Sequence, residues 1–197
     1  MIKNPFFNFE PTGLPLQAGN ILISVPLSGD FYFDRTVVLL VEHNENGSFG
    51  FVLNKSLPLM LKDLFPKETQ ELGHISLYNG GPVDAENLFA LHTYGNLIKG
   101  STPIANGLYL GGLASQLLTF IKSDFLDEHF IRFYLGYSGW SQGQLEAELS
   151  QDLWLVGTFQ EKLLFHDGDE NCWNMAVDSL GENYSSWFNI AQAPYLN

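Results

Sequence analysis

With 197 residues, 22.1 kDa, 45% hydrophobic and only 16% charged residues, the chain holds enough apolar material for a packed core and too little polar bias for wholesale disorder. A single cysteine, Cys172, excludes a disulfide framework, and a net charge of −13, from 9 basic against 22 acidic residues, sets the chain against direct contact with a phosphate backbone. The acidity is uneven: six basic and ten acidic residues occupy the first hundred positions, three and twelve the remainder. Residues 152–182 carry seven of those acids, which read either as a solvated face or as a site for a cation or a basic partner. Residues 167–171 (DGDEN) lack the later bidentate glutamate of a calcium loop. No charged-then-apolar leader opens the chain, and its longest apolar run, residues 37–41, is far short of a membrane span. A cytoplasmic location with no membrane contact is therefore expected.

In chain order, residues 20–25 (NILISV) form a β-branched run stopped by Pro26, and residues 36–42 (TVVLLVE) are apolar on both faces, as a strand in the middle of a sheet would be. The Asn46-Gly47 pair predicts a tight reversal into a strand at 49–54, making a β-hairpin. Leu61, Leu64 and Phe65 recur at helical spacing before Pro66, predicting a short helix over 60–65. Strands are expected at 75–78, 87–92 and 108–110, with a sharp turn at 79–82 and an exposed loop over 94–107. Leu113, Leu117, Leu118 and Ile121 make one stripe of a helix that packs on a sheet. A strand follows at 130–135, a loop at 136–141, a helix at 142–149, a short strand at 154–156 and a last helix at 174–180 ended by Gly181. This irregular alternation, without a βαβ period or repeat, predicts an α+β fold with a mixed sheet.

Several phrases in fixed order resemble the YqgE/AlgH family: GNILIS at 19–24, FDRTVVLL at 33–40, Glu42-His43, GFVLNK at 50–55, GGPV at 80–83, Leu91-His92 and GYSGWSQGQLE at 136–146. The resemblance implies a single domain over 19–197, preceded by an extension at 1–18, with a largely antiparallel bifurcated sheet bent into an open pseudo-barrel and flanked by helices. It also implies the label of transcriptional regulator, with no agreed catalytic residues to carry over.

The shared phrases nominate a candidate binding surface of Arg35, Glu42, His43, Asn54, Gly80, Gly81, Tyr137, Ser138 and Trp140. Arg35 opens the buried strand, where it can pair with Glu42 or cap a turn. Glu42-His43 sits at the hairpin mouth, either as an acid–base pair or as a hydrogen-bonded turn. Gly80-Gly81 serves a tight turn, and could also offer backbone N–H groups to an anion. The context of Ser138, between a predicted strand and a predicted helix, suits a nucleophile elbow, with Asp152 and His166 following in hydrolase order. The spelling does not, because Trp140 stands where G-x-S-x-G needs glycine. In the alternative, Gly136 and Gly139 allow the turn, Trp140 plugs the core and Glu146 lies on the outer face of the next helix. The resemblance adds that this serine position is commonly alanine.

The five histidines are far apart, with no H-x-x-x-H pair and no second cysteine to complete a zinc site, and no Gly-rich phosphate or dinucleotide fingerprint is present, so neither a metal nor a cofactor is expected. The aromatic groups Phe6-Phe7-Phe9 and Phe31-Tyr32-Phe33 offer either core packing or a partner surface. Together these features favour a non-enzymatic cytoplasmic protein working through a protein partner or a small ligand, and affecting transcription indirectly. The rival is a hydrolase-like enzyme using Ser138 with His166 or with the Glu42-His43 pair.

Overall fold

A computed structural model describes residues 12–26, 32–65, 75–105, 107–121, 129–165 and 168–190. Ten strands, β1 (Asn20–Ser24), β2 (Val37–Asn44), β3 (Gly47–Val52), β4 (Ser56–Met60), β5 (Ser76–Asn79), β6 (Val83–His92), β7 (Ser101–Pro103), β8 (Tyr109–Gly111), β9 (Ile131–Ser141) and β10 (Trp154–Thr158), are joined by α1 (Leu61–Leu64), α2 (Ala114–Ile121), α3 (Gln144–Ser150) and α4 (Asp169–Asp178). Among the described residues, 3-10 turns add Gly95–Leu97, Glu161–Leu163 and Glu182–Asn189. This is an α+β fold on a mixed, largely antiparallel sheet, as the residue patterns and the family resemblance both predict.

The chain groups into two compact units, Met1–Asn54 with Gly139–Asn197, and Lys55–Ser138. In the first, β10, β1, β2 and β3 lie side by side, and the pairs β10–β1, β1–β2 and β2–β3 are antiparallel. Leu22, Val38, Leu40, Val52, Trp140, Leu145 and Trp154 form its core. β2 is buried on both faces over Val37–Leu40, which is why its run reads as continuously apolar. In the second, β9 carries β6 antiparallel on one edge and β5 parallel on the other, while β4 pairs with β5 and β8 lies between β6 and β7. Its core joins Leu61, Ile75, Leu77, Ile98, Ile131 and Phe133.

Four expectations are corrected. The loop expected over 136–141 is instead the second half of β9, whose residues alternate between buried and exposed from Tyr137 to Ser141. Glycines read as loop punctuation there mark a close approach: a Cβ on Gly136 would meet the Gly81 carbonyl oxygen at 2.5 Å, and one on Gly81 would overlap the Tyr137 carbonyl. The exposed loop expected over 94–107 contains a 3-10 turn and β7, because Ile98 is buried in the second core. β4 was hidden by Pro58: only its two ends, Ser56 and Met60, register with β5, as an edge strand with an internal proline allows. The hairpin turns at Glu45–Asn46, one residue before the Asn-Gly pair, with Asn44 opposite Gly47 and the Asn44 Oδ1 accepting the Asn46 N–H at 2.8 Å. On α2, Leu117 packs on the second core as expected, joined there by Phe120, which the expected stripe did not include, whereas Leu113 precedes the helix and is 55% exposed.

Candidate functional site

The nine nominated residues fall into three groups. At the hairpin mouth, Glu42 is exposed and its Oε1 accepts from Asn44 Nδ2 at 2.6 Å, so it does not act with its neighbour. His43 turns instead to Ser48 across the hairpin, with Nδ1 and Oγ 2.8 Å apart, and its Nε2 lies 3.9 Å from Glu146 Oε1 on α3. α3 is then fastened by Glu148. Its Oε2 accepts both the Trp140 and the Trp154 indole N–H at 2.8 Å, and its Oε1 accepts from Gln144 Nε2 at 3.0 Å. The two indoles meet edge to face with centroids 6.0 Å apart, and Trp140 is only 6% exposed. Trp140 thus plugs the core, and Glu146 lies on the open face of the helix.

Arg35 and Asn54 form the second group. The Asn54 Oδ1 accepts the Val37 N–H at 2.9 Å and its amide donates to the Arg35 carbonyl at 2.8 Å, so Asn54 ties the start of β2 to the end of β3. Asn54 also donates to the Asp169 carbonyl at 3.4 Å, at the start of α4. Arg35 pairs with neither Glu42 nor a turn. Its guanidinium stacks 4.9 Å from the Trp173 ring centroid and donates to the Ile190 carbonyl. These side chains fasten backbone to backbone.

The third group is Gly80, Gly81, Tyr137 and Ser138. The Gly80 N–H donates to the Leu135 carbonyl at 2.8 Å, and the Gly80 carbonyl accepts the Ser138 hydroxyl at 3.2 Å. Ser138 is 1% exposed and lies in extended strand, not on a sharp turn before a helix. Tyr137 packs edge to face on Phe89, with centroids 5.9 Å apart. Of the partners considered for Ser138, His166 lies outside the described residues, as do Phe6, Phe7, Phe9 and Phe31.

Two features escaped the residue patterns. The first is a cavity of about 250 Å³ in the first unit, lined by Thr12, Leu14, Leu16, Leu149, Asp152 and Trp154 among others. It is apolar in side-chain character apart from Thr12, whose hydroxyl donates to the Val156 carbonyl at 2.7 Å, and Asp152. Asp152 follows α3 with φ 59°, its N–H bonding the Leu149 carbonyl while the Leu153 N–H reaches back to Glu148. That is the left-handed closing residue of a Schellman motif, a position glycine usually fills. The signal for it was an acid directly after a helical period, and nothing local pointed to the segment at 12–16 that completes the cavity.

The second is His92, fully buried on β6. Its Nε2 lies 2.9 Å from Ser101 Oγ, which itself donates to the Ile98 carbonyl at 2.7 Å, so His92 supplies the proton at Nε2. Nδ1 has no hydrogen-bond partner among the described residues, and the ring stacks on Tyr109 at 5.8 Å. Burial pushes the imidazole below its ordinary 6.5, against a weaker opposing pull from the Gly111 backbone. Among the described residues no group of three or more His, Cys, Asp or Glu side chains is placed to hold a metal ion.

Strands paired largely antiparallel, motif side chains such as Asn54 and Ser138 bonded to the chain's own backbone, and a small cavity at the end of a short helix define an α+β protein. The AlgH-like family model matches residues 21–185, and the chain belongs to that family. A UPF0301 protein of Bacteroides thetaiotaomicron is 38% identical over 196 residues, covering 100% of this chain and 99% of its own, and one of Parabacteroides distasonis is 41% identical over 197 residues, covering 99% and 98%. Among solved structures, the solution structure of the AlgH protein of Pseudomonas aeruginosa superposes with a TM-score of 0.71 at 32% identity, covering 89% of this chain and 94% of that one. The crystal structure of a Corynebacterium diphtheriae protein reaches 0.76 at 20% identity, covering 95% and 98%, a likeness of fold. No described helix is long and apolar enough to cross a membrane.

Proposed function

We propose that this AlgH-like chain is a non-enzymatic cytoplasmic protein that acts through contacts with a protein partner or a small ligand, and that any effect on transcription is indirect. The observation that carries the reading is the state of Ser138, the serine that the family phrase at 136–146 places where a nucleophile elbow would need it. Ser138 is 1% exposed, and its hydroxyl donates to the Gly80 carbonyl inside the sheet, where a substrate carbonyl has no approach. The net charge of −13 supports the indirect part, since no counterion release is gained by placing this surface on DNA. A hydrolase reading retains one observation in its favour, the 2.8 Å contact of His43 with Ser48 and the carboxylate of Glu146 beyond it. Against it, Glu146 at 3.9 Å is outside hydrogen-bond range, and Ser48 is 8% exposed. Intact-mass spectrometry after a fluorophosphonate probe separates the two: the proposal expects no adduct, and an adduct on Ser138 or Ser48 that disappears in the matching alanine variant overturns it.

A further inference from the structure

We infer that the cavity at the end of α3 receives the cationic side chain of a protein partner, a lysine or arginine whose aliphatic stem lies on Leu14, Leu16 and Leu149 and whose charge meets Asp152. This rests on the reading that the chain works through protein contacts, and it names the chemistry of one such contact.

The argument runs through the unspent bonding capacity of the lining. The Thr12 hydroxyl has given its proton to the Val156 carbonyl, and the Trp154 indole has given its own to Glu148. The Asp152 carboxylate is half-buried at the cavity and has no hydrogen-bond or ion-pair partner among the described residues. Among the described residues, every side-chain valence left in the lining is therefore an acceptor, and no basic side chain lines the cavity. An anion is repelled by such a site. A neutral apolar guest would desolvate the carboxylate without replacing its hydrogen bonds, at a cost a protein cavity does not recover. A group with an apolar stem and a cationic, donating head satisfies both halves. The volume, about 250 Å³, falls below the roughly 300–1,000 Å³ of sites for drug-sized ligands and suits a single side chain.

The position of the carboxylate adds a second line. The residue after the C-cap of α3 has φ 59°, where glycine is free of strain and where, among L-residues, asparagine and aspartate sit most readily. The chain sets an acid there, and the turn delivers it to an otherwise apolar cavity. Charge complementarity fits as well, since the surrounding protein is strongly anionic.

The test is a heteronuclear NMR titration of the full-length chain with Nα-acetyl-lysine N-methylamide and with its uncharged norleucine counterpart. The lysine derivative is expected to shift amides within 12–16 and 149–156, and to bind Asp152→Asn about tenfold more weakly; asparagine tolerates the same backbone angle, so the fold is kept. Asp152→Gly, free of strain at this position, is expected to lose binding equally. Equal binding of the norleucine derivative, unchanged binding by both variants, or no shift at all overturns the inference. Failure of the parent reading is distinguishable by affinity capture. A wild-type chain that retains no partner sinks that reading, whereas one partner retained equally by wild type and Asp152→Asn leaves it standing and sinks only the cavity's role.

Discussion

His92 shows how a single buried side chain sets a condition on the fold. It is held neutral, with Nε2 bonded to Ser101 and Nδ1 facing no donor or acceptor among the described residues, so a second proton has no acceptor and must be desolvated. Its pKa in the folded protein lies below the ordinary 6.5, so the folded state binds this proton less readily than the unfolded chain. The stability that follows is complete above about pH 6.5 and is lost as pH falls through 6.5 toward the depressed value. Urea midpoints measured across that range should fall more for wild type than for His92→Gln, which keeps a donor toward Ser101 and does not titrate. Parallel curves for the two proteins would remove His92 from the account. The charged groups of the molecule do not blur this comparison, because they are common to both chains.

At the scale of elements, α3 is short, and its seven residues could not persist on intrinsic propensity. It is held by the buried Leu145 and by Glu148, which gathers two indole N–H groups from the ends of β9 and β10. Glu148→Ala leaves both indoles without an acceptor, and is expected to cost about 1–3 kcal/mol in chemical denaturation, from the desolvation of unpaired buried donors. Glu148→Gln keeps a carbonyl oxygen in place and is expected to cost clearly less. If the two variants are equally destabilised, the carboxylate's charge and not its role as acceptor matters. Asp152 follows the C-cap of the same helix, so the element that closes the core of the first unit also positions the acid at the cavity.

For the molecule as a whole, local chemistry announced some parts and left others silent. β1 and β2 were legible because short runs apolar on both faces, such as Val37-Val38-Leu39-Leu40, read as buried strands, and β3 because Asn46-Gly47 marks a hairpin. The second half of β9 was not, since Gly136 and Gly139 are loop signals until the carbonyl of Gly81 is known to pass 2.5 Å from where a Cβ would stand. Trp140 as a core plug and Glu146 as a surface acid were readable from the glycine spacing around them. The roles of Arg35, with Trp173 and Ile190, and of Asn54, with Asp169, depend on chain segments more than a hundred residues away. The cavity has the same origin, with one wall from residues 12–16 and the other from 149–156. Family phrases that offered Ser138 and Asn54 as site candidates use both side chains to fasten backbone.

The most direct test of this account is affinity capture with the wild-type chain and Ser138→Ala from a lysate of the native cells at physiological salt, read by quantitative mass spectrometry of bound proteins and small molecules. The account predicts that both chains retain the same partner or ligand in the same amount. Retention of nothing above the tag control, or loss of the bound species on replacing the Ser138 hydroxyl, would contradict it.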